Sequence, residues 1–391
     1  MQPLKITIPG KFWDSYVYEG RIYLFARDGS VECLKWAELI YDWRLPDLVK
    51  LPFTCAFARS DFLYSMDLRE LMHDREVRLL MQSKFRTLGQ RSFEIDKKVR
   101  TRHTAGTQDN PCPFPHADLE IYKQCLYVGS KTGIVSASCN KQTRYPISTR
   151  TDKKWDAPTL ALSASYGSLA IAAGDEGLYE YNLDSYVQGD PEPTQLSKVA
   201  CRDCDYTYFS VFASSGNSGY LAEFTKVGEG GNFERHFEGI ETAQAIFGTE
   251  GYSWGVQDKI CQALQGTIKV ARYTPWADAD DERIQSLGNI RFAPWKGDIV
   301  SASTASFGVI VELENAIVVL PSAGRPITLR GEPVNWRVFP RSRHYKNQLH
   351  VVYDDRLEVL SFNHDYLVDQ KSKLLGTKFS ARQHAYNRNL R

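Results

Sequence analysis

The chain has 391 residues, with 48 Lys/Arg against 47 Asp/Glu, a formal net charge of +1, 42% hydrophobic and 12% aromatic residues. That composition fits a folded, strand-rich chain better than a disordered or coiled-coil one, provides for a sizeable core, and leaves any electrostatic recognition to local patches. No 18 apolar residues run together, and MQPLKITIPGKFWD lacks the basic and apolar regions of a secretory leader, so a cytoplasmic protein with no membrane contact is expected.

In chain order, LKITIPG alternates as a strand does, and RIYLFARDGSVECL reads as two strands joined at Asp28-Gly29, a pair that tolerates the positive φ of a tight hairpin. A long interval follows. It contains SMDLRELMHDREVRLLMQSKF, where Asp67 and Glu70 offer a capping box and Leu68, Leu71, Met72, Leu79 and Leu80 follow helical spacing. A helical insertion near 65–90, within a break at about 41–105, is expected; the alternative is a degenerate extra β unit. The hairpin cadence returns at CLYVGSKTGIVSAS and SLAIAAGDEGLYEYNLD. Farther on, AQAIFGTE reads as an inner strand, GYSWGVQ and ICQALQG as a hairpin and IKVARY as an outer strand, with ADADDERIQSLGN as a separating loop. GDIVSASTA, FGVIVELEN, AIVVLPSAG and RPITLRG repeat the plan. VNWRVF, NQLHVVYD and RLEVLSFN lack a fourth strand, which LKITIPG would supply.

Superposing the turns aligns Gly29, Gly133, Gly177, Gly219, Lys259, Ala316 and Arg356, mostly at intervals of about 40–44 residues, the length of a four-stranded blade. By this repeat the chain resembles the β-propeller superfamily over roughly residues 12–367. It lacks the Gly-His and Trp-Asp pairs of WD40 repeats, the Asp boxes of sialidases and the doubled glycines of kelch repeats. The resemblance implies an all-β fold of seven blades, with eight as the alternative, closed by the N-terminal strand. One domain over 1–367 and a basic tail over 368–391 are expected. The fold hosts enzymes and passive scaffolds alike, so function has to be argued from sites.

Sites are sparse. The eight cysteines are too dispersed for a disulfide framework, and Cys201-Arg-Asp-Cys204 has no second pair to complete a zinc site. Gly251-Tyr-Ser253-Trp-Gly255 matches a nucleophile elbow, but no helix follows it. The acidic run after Trp276 lacks the glycine and glutamate of a calcium loop. Asp28, Asp175, Glu176, Asp258, Glu314, Asp354 and Asp355 occupy turns, where aspartate has a local conformational reason to be. No catalytic, metal or cofactor residues are assigned. Glu120, Arg291 and Arg337 lie near inner strands and are polar enough to line a central channel.

Basic residues gather in three segments: 75–102, with Arg86, Arg91, Lys97, Lys98 and Arg100; 336–346, with Arg337, Arg341 and Arg343 among aromatics; and 371–391, with Lys373, Lys378, Arg382 and Arg388. They are the candidate partner-binding residues. The leading expectation is a non-enzymatic scaffold for other protein subunits in a larger cytoplasmic complex. A nucleic-acid-binding subunit, whose cations neutralise phosphates while aromatics stack on bases, is the second. An enzyme with a channel site is the third.

Overall fold

Alternating apolar residues separated by positive-φ turns produce antiparallel sheets throughout the computed structural model. It describes residues 2–64, 74–139, 145–183, 192–228, 234–277, 283–291, 297–321 and 325–363. The fold is an all-β, seven-bladed β-propeller. Contacts divide the chain into two compact units, Met1–Thr159 with Gly297–Asp369, and a second that includes Leu160–Lys296.

The first unit opens with β1 (Leu4–Pro9), then β2 (Phe12–Tyr18), β3 (Arg21–Ala26) and β4 (Ser30–Leu34). The insertion follows: α1 (Trp36–Tyr41), α2 (Asp47–Phe57), α3 (Asp61–Tyr64), α4 (Arg75–Gly89), β5 (Phe93–Glu94) and α5 (Lys97–His103), before β6 (Thr104–Asp109) completes the blade β2-β3-β4-β6. Helix therefore begins earlier than the sequence pattern indicated. The expected capping box at Asp67 and Glu70 lies outside the described residues; α4 is capped by Asp74, whose carboxylate accepts the amides of Glu76 and Val77. The next blade is β7 (Asp118–Tyr122), β8 (Cys125–Ser130), β9 (Gly133–Ser138) and β10 (Thr151–Trp155).

In the second unit, β11 (Ala161–Ser165), β12 (Ser168–Ala172), β13 (Leu178–Asn182) and β14 (Thr194–Ser197) form one blade. The next is β15 (Asp203–Thr207), β16 (Ser210–Ser214), β17 (Gly219–Val227) and β18 (Glu234–Thr242). After α6 (Ala243–Phe247), the third comprises β19 (Tyr252–Val256), β20 (Lys259–Leu264), β21 (Thr267–Tyr273) and β22 (Ile284–Arg291). This corrects the sequence reading by one strand. AQAIFGTE is mostly helix, GYSWGVQ is the inner strand, and the supposed separating loop carries the outer one. The aligned turn belongs at Gly266, φ 72°, instead of Lys259. The Gln257-Asp258 turn misled because both hairpins of a blade select the same turn chemistry, and Gln257 itself has φ 57°.

Back in the first unit, β23 (Ile299–Ala305), β24 (Gly308–Leu313), β25 (Ala316–Pro321) and β26 (Ile327–Arg330) form a blade as expected. The last blade has β27 (Asn335–Val338), β28 (Gln348–Val352) and β29 (Arg356–Ser361), and β1 supplies its fourth strand. The pairing is antiparallel from Leu4↔Ser361 to Pro9↔Arg356, which buries Leu4, Ile6 and Ile8. Beyond β1, β5 pairs in parallel through Ile6↔Phe93 and Thr7↔Glu94, so the insertion covers an edge that would otherwise offer free amides and carbonyls.

Two glycines show why these turns are so constrained. Gly133 begins the third strand of its blade and Gly177 immediately precedes that of the next, at φ 107° and 101°, and a Cβ there would lie 1.9 Å from the Trp155 carbonyl oxygen and 2.0 Å from that of Ser197. Gly177→Ala is expected to cost at least about 3 kcal/mol, combining backbone strain with a clash against a fixed strand; chemical denaturation measures it. Deleting residues 2–9 removes three buried aliphatic side chains, each contributing roughly 1.5–3 kcal/mol. The truncated chain should melt earlier and self-associate through the bared edge, whereas a monomer with an unchanged melting temperature would contradict the role given to β1.

Candidate partner-binding surface and the polar core beneath it

β27 places Arg337 against the inner strands of two other blades. Its Nε and Nη2 donate to both carboxylate oxygens of Asp14 on β2, at 2.8 and 2.6 Å, and Nη2 also donates to Asp118 Oδ1 on β7 at 2.7 Å. Asp14 is 1% exposed. It also lies 3.2 Å from His116 Nε2 and accepts the Ser15 amide. Burial pushes the Asp14 carboxyl up, but the charge and hydrogen bonds of Arg337, reinforced by His116, hold it well below the ordinary carboxylate range.

A second polar chain starts one residue on. Ser15 Oγ lies 3.1 Å from His350 Nδ1, and His350 Nε2 lies 3.3 Å from Gln348 Oε1. Burial pushes the His350 imidazole down to about 3, so the ring is neutral, accepting from Ser15 at Nδ1 and donating to Gln348 from Nε2. Gln348 in turn donates to the carbonyls of Ala56 and Phe57, at 3.2 and 3.0 Å. Asn347, Ser361 and Trp36 reach the same helix end, at 3.1 and 2.8 Å to Ala56 and 2.6 Å to Phe57. The last carbonyls of a helix lack intrahelical partners, and here buried side chains supply them. The insertion is thus fixed to the last blade.

Three of the basic candidates serve this framework. Arg337 is spent on Asp14 and Asp118. Arg341 pairs with Glu120 at 3.4 Å, and Arg100 bonds Glu32 and the Pro9 carbonyl while its guanidinium stands 5.3 Å from the Phe12 ring centroid. Arg343 is exposed, 3.9 Å from Asp61. Arg86, Arg91, Lys97 and Lys98 are exposed and have no ion-pair partner among the described residues. Lys373, Lys378, Arg382 and Arg388 lie outside the described residues. Of the polar channel candidates, Glu120 and Arg337 stand on inner strands, but Arg291 ends the outer strand β22.

Two of the chemical motifs are taken up in packing, while residues 278–282 of the acidic run lie outside the described residues. Ser253 is buried on inner strand β19 and donates to the Gly251 carbonyl at 2.8 Å, so its hydroxyl is not presented as a nucleophile. Cys201 and Cys204 are buried, and a hydrogen bond shared with Cys201, together with burial, holds the Cys204 thiol well above its ordinary value. All eight cysteines are free, and no group of three potential metal ligands occurs among the described residues. Asp258 is a turn residue as expected, but it is buried against Lys259, with Arg272 at 3.6 Å.

What the sequence pattern missed is an apolar surface on the insertion. Leu79 and Leu80, among the residues that follow helical spacing, are 50% and 58% exposed; Met81, Phe85 and Leu88 form the buried stripe. Leu48 and Leu51 of α2 are 74% and 53% exposed. Asp14, Asp118, His350 and Gln348 were missed too. A signal existed for the two aspartates, which each stand 15 residues before a turn glycine, Gly29 and Gly133.

This arrangement is a seven-bladed β-propeller fold. No family model matches the sequence, and no curated protein matches it. Among solved structures it is similar to Chaetomium thermophilum Raptor, at 12% identity and TM-score 0.50 over 93% of this chain and 29% of that one. It is also similar to the computationally designed Ika8 protein, at 9% identity and TM-score 0.45 over 93% and 100% of the two chains. The WD40 β-propeller domain of Doa1 matches at 9% identity and TM-score 0.35, over 65% and 95%. These likenesses concern the fold alone.

The neutral His350 makes stability pH-dependent. Unfolded, the ring protonates near 6.5; folded, it does not until about 3, so its contribution is complete above about pH 6.5 and is lost as pH falls toward 3. Between pH 6 and 4, His350→Gln should flatten the stability slope by up to about 1.4 kcal/mol per pH unit, one proton's worth. Urea titrations at several pH values measure this; an unchanged slope would mean that the ring is already charged in the fold.

Proposed function

We propose that the protein is a non-enzymatic scaffold, binding other proteins as a subunit of a larger cytoplasmic assembly. One observation carries the reading: an insertion fixed to a propeller blade at a buried helix end turns leucines of α2 and α4 outward, beside cations without ion-pair partners among the described residues. A preformed surface of this kind loses little conformational entropy on binding. The free thiols fit a reducing compartment. No helix among the described residues is long and apolar enough to cross a membrane.

The nucleic-acid reading rests on Arg86, Arg91, Lys97, Lys98, Arg343 and the C-terminal cations. It is the less favoured because Phe85 and Phe93, the phenylalanines of segment 75–102, are buried and offer no face for a base to stack on. A channel enzyme using Glu120 or Arg337 would first have to break their ion pairs.

Gel filtration of native extract tests the proposal. The protein should elute far above its own 44.5 kDa and retain that position after nuclease treatment. Elution as a free monomer would end the scaffold reading, and collapse of the peak under nuclease would favour the nucleic-acid one.

A further inference from the structure

The outward face of α4 has a specific chemistry. Arg75, Leu79 and Arg86 are separated by four and seven residues, and at 3.6 residues per turn they fall within about 40° of one line along the helix. All three are exposed, and neither arginine has an ion-pair partner among the described residues. Leu80 is exposed as well, about 100° farther round the helix from Leu79. Glu76 is the sole acid within α4, and the Asp74 carboxylate is engaged by the amides of its first turn. The two arginines are about 16 Å apart at 1.5 Å per residue, with the leucine between them.

We infer that this stripe docks an acidic amphipathic helix of a partner protein, one that places an apolar side chain against Leu79 and carboxylates about three turns apart against Arg75 and Arg86. The inference rests on the scaffold reading and names the partner chemistry of its surface. Charge complementarity selects the occupant. A lipid surface would need a broad apolar face flanked by cations, but the continuous apolar face of α4, Met81, Phe85 and Leu88, is already buried and the arginines share the line with the leucine. A polynucleotide would gain nothing from Leu79, and the one aromatic residue of α4, Phe85, is buried.

The full chain carrying Leu79→benzoylphenylalanine, photo-activated in native extract, tests the docking; the same residue at exposed Val300 is the control. The cross-linked peptide should have apolar residues at helical spacing with flanking Asp or Glu. Arg75→Glu with Arg86→Glu should lower the yield about tenfold, equivalent to roughly 1.4 kcal/mol, without changing the melting temperature. Cross-links to lipid or nucleic acid, to a segment without acids, or unaffected by the charge reversal would overturn the inference. If high-mass elution persists while Leu79 gives no cross-link, the stripe is refuted and the scaffold stands; elution as a monomer refutes both.

Discussion

The guanidinium of Arg337 is the group on which the first unit depends. Antiparallel pairing holds the strands of a blade together, but it does nothing to fix one blade beside the next. Arg337 spans inner strands of three blades by donating to Asp14 and Asp118, so an interaction among groups far apart in sequence replaces the missing ladder. A buried ion pair contributes little net stability unless its remaining hydrogen-bonding capacity is satisfied. Here the carboxylates also accept the amides of Ser15 and Leu119, which fixes their orientation toward the arginine.

The same device recurs elsewhere. Asn335 accepts the Trp336 amide in the last blade, and in the second unit Asp205 accepts the Tyr206 amide and the hydroxyl of Ser163 on β11. Farther out in that unit, Arg235 of β18 bonds Glu180 of β13 at 2.7 Å and the Phe209 carbonyl at 2.7 Å, with its guanidinium 4.0 Å from the Phe224 ring centroid. Polar side chains thus link neighbouring blades at inner and outer radius, while aliphatic residues fill the sheets between them. Most of the charged and polar residues that might be taken for chemistry have this mechanical occupation.

The insertion extends the principle from blades to helices. The last turn of α2 ends inside the protein, where unpaired carbonyls would be costly, and four side chains from the last blade and α1 meet them. Because Gln348 also receives a hydrogen bond from His350, the docking of the helix and the packing of the inner strands share one hydrogen-bonded chain. Among the described residues, the outward leucines of α2 and α4 and the arginines Arg75 and Arg86 have no such internal use. That contrast, between polar groups paired inside and leucines and arginines left outside, is the basis for a binding role.

Periodicity and turn chemistry determined the blades. Alternation of apolar residues is a local consequence of strand geometry, and a turn such as Asp28-Gly29 needs no distant residue to explain it. The strand supplied by Leu4–Pro9 was legible for the same reason, since a blade with three strands implies a fourth elsewhere. Local rules could not tell the first hairpin of a blade from the second, so Lys259 stood in for Gly266. Nor could helical spacing alone orient α4: a helix rich in leucine has more than one apolar line, and which one is buried is decided by what the helix packs against. Arg86 and Arg337 are likewise the same residue type in equally basic segments, yet one meets solvent and the other two carboxylates, at sequence separations of 323 and 219 residues. That difference exists only once the chain has brought its ends together, because the energy of a charge is set by its surroundings and not by its neighbours in sequence.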